Sequence, residues 1–359
     1  MRFFFFTKTR WQEPPRIRHQ LAKLLADAGH CVEFFELPLF PWQTRTKADT
    51  GHERISLHNY KQLIHHKLRL TKSLHYLNAA YEEPQIRRIL QHLEVLDSDI
   101  VVLFNYEYFF IRRIFPNNRI ILIINDYFWS NPLGGFEKPL RWALAKTCRT
   151  SDRVLAVSPP LIELLRPYCK AELFFPWADV DYQAPQFGSY RNILLFWGYI
   201  DQRLDLSYVE ALANAFGQGD LDYEIFLVGP IDIYRRDLKR LGMCPKIRFG
   251  RSSPLDDLPL SRVLCGFNPY KSNVTSINAA TLPNKTLQEL ARGLPQVITG
   301  MPNFIDQPFV FRMTGVVDRD IEVLNSLRSR FDDLQPAISA FVSANSAESR
   351  LKALMDYVA

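Results

Sequence analysis

The chain alternates short runs that are apolar at every position with longer stretches that are apolar at every third or fourth one. Residues 2–6 read as a buried strand, and Ile17, Leu21, Leu24 and Leu25 line one face of a helix over residues 16–28, which Gly29 ends. A second strand starts at 31–35, and strand-length apolar runs follow at 100–104, 119–124, 153–157 and 172–175. Runs apolar on both faces and separated by helices predict a parallel sheet covered on both sides. Between 175 and 190 the pattern stops at Pro176, Pro185 and Gly188, which reads as a linker. Alternation then resumes, with strands at 192–197, 224–228, 246–249, 263–267 and 296–299 and helices at 207–216, 234–241 and 284–292. The reading is α/β: two doubly wound Rossmann-like halves, 1–178 and 179–335, facing a cleft. The last helices (337–342 and 347–358) are expected to cross back, so that 336–359 joins the first half.

Composition narrows the function classes only a little. The 359 residues are 47% hydrophobic and 23% charged, within the range of soluble globular proteins. No apolar run reaches the ~18 residues that a spanning helix needs, and 3–6 is too short for a secretory core, so the expected location is the cytoplasm. Five cysteines without CxxC spacing signal neither a disulfide framework nor zinc and read as small core hydrophobes. A net charge of +6 suits an anionic partner. It does not choose between nucleotide, anionic membrane face and nucleic acid, and no nucleic-acid-binding module supports the last.

The most informative stretch is Asn268-Pro-Tyr270, a polar loop, then Leu282-Pro-Asn284-Lys285-Thr-Leu-Gln288-Glu-Leu-Ala-Arg-Gly293-Leu-Pro. Spacing alone fits an ordinary amphipathic helix with solvated Lys285 and Gln288. In the second of two α/β halves it also fits a nucleotide clamp. Lys285 then stands in a first helical turn whose amides and dipole favour a diphosphate. Gln288 shares that face to grip ribose hydroxyls, and Tyr270 lies against the base.

At this point the sequence resembles the GT-B glycosyltransferases. Their second domain shows a strand ending in Pro and an aromatic, then P-x-K-x-x-E, a small-residue helix end, Gly and Pro. Lys followed by Gln at this spacing, with Tyr fifteen residues before the Lys, is more similar to the xanthan-type glucuronosyltransferases. The resemblance implies that Tyr270 contacts the uracil region, Lys285 the phosphates and Gln288 the ribose; Asn284 is a further donor-binding candidate. It also implies that Gly198, Tyr199 and Ile200 form the glycine turn near the diphosphate. A glucuronate donor would call for a cation at the sugar carboxylate, for which Arg251, Lys271, Arg16 and Arg18 all qualify without being specific. The family's paired glycines after the first strand are missing, since 7–15 contains no Gly.

Inverting sugar transfer needs a base for the acceptor hydroxyl and a grip on the leaving diphosphate. Asp126, in Ile-Ile-Asn-Asp126-Tyr-Phe-Trp after the fourth strand, is the expected base, and the resembling enzymes place an essential Asp in a similar segment. An Asx turn is the plain alternative. Glu107, His19 and Glu13 are reserve candidates for the base, each with a structural role as the plainer reading, and Arg16, His19 and Glu107 are acceptor-side candidates. The motif Asp179-Val-Asp181 lies in the linker, so no metal is expected and the only co-substrate is a nucleotide-sugar donor, UDP-linked by the resemblance. The basic, aromatic segment 52–81 reads either as a solvated helical face or as an element lying on an anionic inner-membrane surface, which suits a saccharide acceptor on a polyprenyl carrier. The resemblance implies a role in bacterial surface polysaccharide or lipopolysaccharide synthesis. The competing readings are a catalytically degenerate nucleotide-sugar-binding protein and a nucleotide-sugar epimerase.

Overall fold

The computed structural model describes all residues except 14–15, 47, 66–67, 128–136, 187–189, 220 and 359. It divides into two compact units, Met1–Phe175 with Arg350–Ala359, and Pro176–Ser349.

The first unit runs β1 (Arg2–Phe6), α1 (Ile17–Asp27), β2 (Cys31–Phe35), β3 (Ile55–His58), α2 (Lys72–Leu90), β4 (Ile100–Leu103), α3 (Ile111–Ile114), β5 (Arg119–Ile124), α4 (Glu137–Thr150), β6 (Arg153–Ala156), α5 (Pro159–Leu165) and β7 (Glu172–Leu173). Its seven strands form a parallel sheet in the order β3-β2-β1-β4-β5-β6-β7. Phe3–Phe6, Val101–Leu103 and Ile120–Ile124 are fully buried, as central strands covered on both faces require. The order reverses between β1 and β4, which places a crevice at the carboxyl ends of those strands.

The second unit repeats the plan: β8 (Ile193–Trp197), β9 (Ile200–Asp201), α6 (Leu206–Gln218), β10 (Glu224–Val228), β11 (Ile231–Asp232), α7 (Arg235–Gly242), β12 (Ile247–Gly250), β13 (Val263–Pro269), α8 (Thr275–Asn278), α9 (Asn284–Ala291), β14 (Gln296–Thr299), β15 (Val310–Arg312), α10 (Val317–Arg330) and α11 (Gln335–Ala344). The main sheet is parallel in the order β12-β10-β8-β13-β14-β15, and β9 pairs with β11 apart from it. Here the order reverses between β8 and β13.

α12 (Ala347–Val358) begins in the second unit, and its residues from Arg350 count with the first. Arg119 on β5 donates to the carbonyl of Val358 at 2.7 Å, and the Tyr357 hydroxyl donates to that of Leu173. Of the two terminal helices only α12 returns. α11 stays with the second unit because Gln335 donates to the Gly293 carbonyl and accepts from the Tyr182 hydroxyl.

Segment 52–81 differs most from its sequence reading. It holds a strand (β3), irregular chain and the start of α2 rather than one amphipathic helix. Tyr60, Arg69 and His75 are buried, so the cations do not form a single solvated face. His66 and Lys67 lie outside the described residues.

Candidate functional site

In the second unit three strand ends and one helix start converge. β8 ends at Trp197 and is followed by Gly198, whose amide donates to the Val228 carbonyl at 2.9 Å. Gly198 (φ +150°) and Gly229 (φ +143°) let the ends of β8 and β10 nearly touch, since a Cβ on Gly229 would stand 2.0 Å from the Gly198 carbonyl oxygen. β13 delivers Tyr270, whose ring meets Phe196 edge to face with centroids 6.1 Å apart.

α9 starts after Pro283, which is extended (φ −57°, ψ 142°) and sets the helix direction. Lys285, in its first turn, places its ammonium 3.9 Å from the Phe196 ring centre and 5.4 Å from that of Tyr270. It also lies 3.9 Å from where a side chain on Gly198 would begin. The two rings hold the ammonium by its attraction to their π faces, yet this buried nitrogen has no hydrogen-bond partner among the described residues. The same holds for Asn278 Oδ1, Thr281 Oγ1, Asn284 Oδ1 and Thr286 Oγ1, all within one short stretch of chain. Buried polar atoms are normally paired, so five together need an explanation. The first amides of α9 add donors that a helix cannot satisfy internally. The arrangement is cationic, rich in donors and approached closely by backbone, which suits a diphosphate.

Gln288 is buried, and its amide is already engaged. Its Nε2 donates to the Trp177 carbonyl and its Oε1 accepts from the Asp179 amide, each at 3.4 Å. Only a side chain carrying both donor and acceptor serves two backbone groups in this way, which accounts for Gln where the resembling family has Glu. The ribose role expected of Gln288 is therefore not the one its geometry shows. Next to it, Glu289 turns its carboxyl against Gly266 and Gln296. Complete burial pushes the Glu289 pKa up to about 7, against the pull of Lys285.

The other donor-side residues divide. Ile200 is fully buried and its amide donates to the Pro230 carbonyl at 2.9 Å, so it is a core residue rather than a ligand contact. Tyr199 is 42% exposed, and Arg251 follows β12 on the surface. Among the described residues no cluster of three or more His, Cys, Asp or Glu could hold a metal ion. Asp179 and Asp181 are exposed.

In the first unit Asp126 stands two residues past β5, exposed, with Oδ1 accepting from the Tyr127 amide at 2.7 Å. The bond is to the next amide rather than to the one two residues on that an Asx turn uses, and among the described residues nothing hydrogen-bonds the other carboxylate oxygen. His19 is a helix-start residue: its Nδ1 accepts from the Arg16 amide and its Nε2 donates to the Arg10 carbonyl. Burial holds its pKa down at about 4, so the neutral ring spends both nitrogens on the loop. Glu107 is buried and ion-paired to Arg69 at 3.1 Å and Lys8 at 3.7 Å, where Glu82 joins the same two cations. This quartet lies on the crevice side of β1 and β4 and neutralises itself, so Glu107 is a packing element there. Arg16 is half exposed and pairs with Glu13.

Several residues escaped the sequence reading. Asn278, Thr281 and Thr286 belong to a stretch dense in Ser, Thr and Asn that read only as a polar loop, and Phe196 read only as strand core. Glu289 carried no signal, because its burial depends on Gly266 across the sheet.

No family model matches this chain, and no curated protein matches it. Solved structures do match. Sucrose-phosphate synthase from Thermosynechococcus elongatus is 13% identical with a TM-score of 0.69, over 99% of this chain and 98% of that one. Anabaena HepE in complex with UDP and glucose is 13% identical with a TM-score of 0.65, over 99% and 98%. TarM from S. aureus, in complex with UDP and alpha-GlcNAc-glycerol among others, is 10% identical with a TM-score of 0.55, over 76% and 58%. At such identities the likeness is one of fold, and over its whole length the chain has the GT-B fold of two Rossmann-like domains.

Proposed function

We propose that this chain is a glycosyltransferase that takes a sugar from a nucleoside diphosphate donor and passes it to a saccharide acceptor. The observation that carries the reading is the Lys285 ammonium, caged by Phe196 and Tyr270 yet without an acceptor among the described residues, on a stretch from Asn278 to Thr286 that holds four other unpartnered polar atoms. A UDP donor is supported by the fold likeness to HepE, solved with UDP and with UDP-glucose, and to TarM, solved with UDP.

In this reading Tyr270 borders the base, while Lys285, Asn284 and the α9 amides hold the diphosphate near Gly198. Asp126 takes the proton of the acceptor hydroxyl as its oxygen bonds to the anomeric carbon. The bond from that carbon to the diphosphate breaks on the opposite face, with inversion, and the nucleoside diphosphate leaves on Lys285. Lys285 and the helix start supply the charge stabilisation that a metal would otherwise give. Undiminished turnover in excess chelator is expected, and a strict Mg²⁺ or Mn²⁺ requirement contradicts it. A uronosyl donor, and a polysaccharide acceptor carried on lipid at the inner membrane face, are finer forms of the same proposal. Exposed Trp42, Leu68 and Leu77 support the lipid-side form. Among the described residues no helix is long and apolar enough to cross a membrane.

The test is release of UDP from a panel of UDP-sugars, with and without acceptor. Asp126→Asn is expected to lower kcat by roughly 10²–10⁴-fold while leaving donor affinity unchanged. Near-normal turnover in this folded variant would remove Asp126 as the base.

A further inference from the structure

α1 in the first unit begins at the carboxyl edge of β1, and its second residue is Arg18. Arg18 is only 3% exposed, its Nε has no acceptor, and no carboxylate lies within ion-pair distance of it among the described residues. The charges it feels most are those of Arg16, Glu13 and Asp126. These stand on the loops after β1 and β5, which puts the guanidinium near the carboxyl edge of the sheet. Burial, and then Arg16, lower its pKa from 12.5 to about 10, the mark of a cation short of counter-charge. The contrast within the same unit is sharp: Arg69, equally buried, has Glu82 and Glu107 at 3.2 and 3.1 Å.

A buried guanidinium without a partner costs stability unless something else pairs with it. Arg18 stands in the first turn of α1, where the helix dipole favours negative charge; the amides of Arg16 and His19 are already bonded within that turn. Arg18 presents a planar fork that matches an oxyanion with two oxygens.

We propose that Arg18 and the first turn of α1 form an anion site in the first unit that takes a phosphate or carboxylate oxyanion carried by the acceptor. Its neighbour Asp126 is the base of the proposed transfer, so the site would anchor the acceptor beside the group that deprotonates it. The acceptor role rests on the glycosyltransferase reading; the anion site itself does not.

The experiment uses the full chain carrying Lys285→Met, which removes the second unit's cation, and compares it with the same chain also carrying Arg18→Met. Thermal unfolding is followed in inorganic pyrophosphate and, separately, in sodium glucuronate, at constant ionic strength. The Lys285→Met chain is expected to gain about 3 °C at ten times the dissociation constant of the preferred anion. The added Arg18→Met should abolish that gain and leave the anion-free midpoint unchanged or higher. A pyrophosphate response indicates a phosphate-bearing acceptor and a glucuronate response a uronate. An equal gain in both chains would overturn the site. So would an anion-free midpoint lowered by both Arg18→Met and Arg18→Gln, since the guanidinium would then be a structural strut. If UDP also fails to stabilise the wild-type chain, the donor reading falls while the anion site stands on its own result.

Discussion

Lys285, Gln288 and Glu289 lie within five positions of one helix, yet their burial gives them three different roles. Glu289 has a pH signature. A carboxyl whose pKa rises from 4.5 to about 7 on folding binds its proton more tightly in the folded state. Its contribution to stability is therefore greatest below about 4.5 and is lost as pH rises toward 7, by on the order of 3 kcal/mol. Unfolding midpoints measured from pH 5 to 8 should fall more for the wild-type chain than for Glu289→Gln, and parallel curves would contradict that. Gln288→Glu keeps an acceptor for the Asp179 amide but sets a carboxylate oxygen against the Trp177 carbonyl. It is expected to cost about 2 kcal/mol and lower the midpoint by several degrees, whereas an unchanged midpoint would free Gln288 for the ribose after all. Lys285 and Tyr270 were legible in the sequence, because a Pro just before a Lys and an aromatic at a strand end are local patterns. Glu289 was not, and Arg18 stood only as one of four unspecific cations for a sugar carboxylate, because what distinguishes them is burial against Gly266 in one case and the lack of a partner among the described residues in the other. Both are properties of packing.

At the scale of elements, the meeting of β8 and β10 is the tightest feature around the site. Gly229→Ala would drive a Cβ into the Gly198 carbonyl at positive φ and is expected to cost about 3 kcal/mol or more. Gly242→Ala, at the end of α7 with open space around it, should be neutral or stabilising by about 0.5–1 kcal/mol. Chemical denaturation of the two variants separates them, and similar losses would mean that crowding between the strand ends does not set the turn. Most strands in the two main sheets were readable from apolar runs because they are buried on both faces. β3 was not, since Ile55 and Leu57 alternate with Ser56 and His58 at an edge, and charged neighbours at helix-like spacing concealed it. Segment 52–81 was misread for the same reason: the partners of Arg69 are Glu82 and Glu107, 13 and 38 positions along the chain.

For the whole molecule, the repeated α/β plan was visible in the order of strands and helices, and the return of α12 in the lack of any strand left to pair with it. The division of labour between the units depends on single residues: in the second a caged ammonium, in the first an exposed aspartate and a buried guanidinium, with neither cation paired among the described residues. If Lys285 holds a diphosphate, the UDP-dependent shift in thermal midpoint should differ between the wild-type chain and Lys285→Met. UDP is expected to stabilise the wild type clearly and to bind Lys285→Met roughly ten- to hundred-fold more weakly, and the ligand-free midpoint of the variant should be no lower than that of the wild type. Equal stabilisation of both chains by UDP, or none of either, would contradict that role for Lys285.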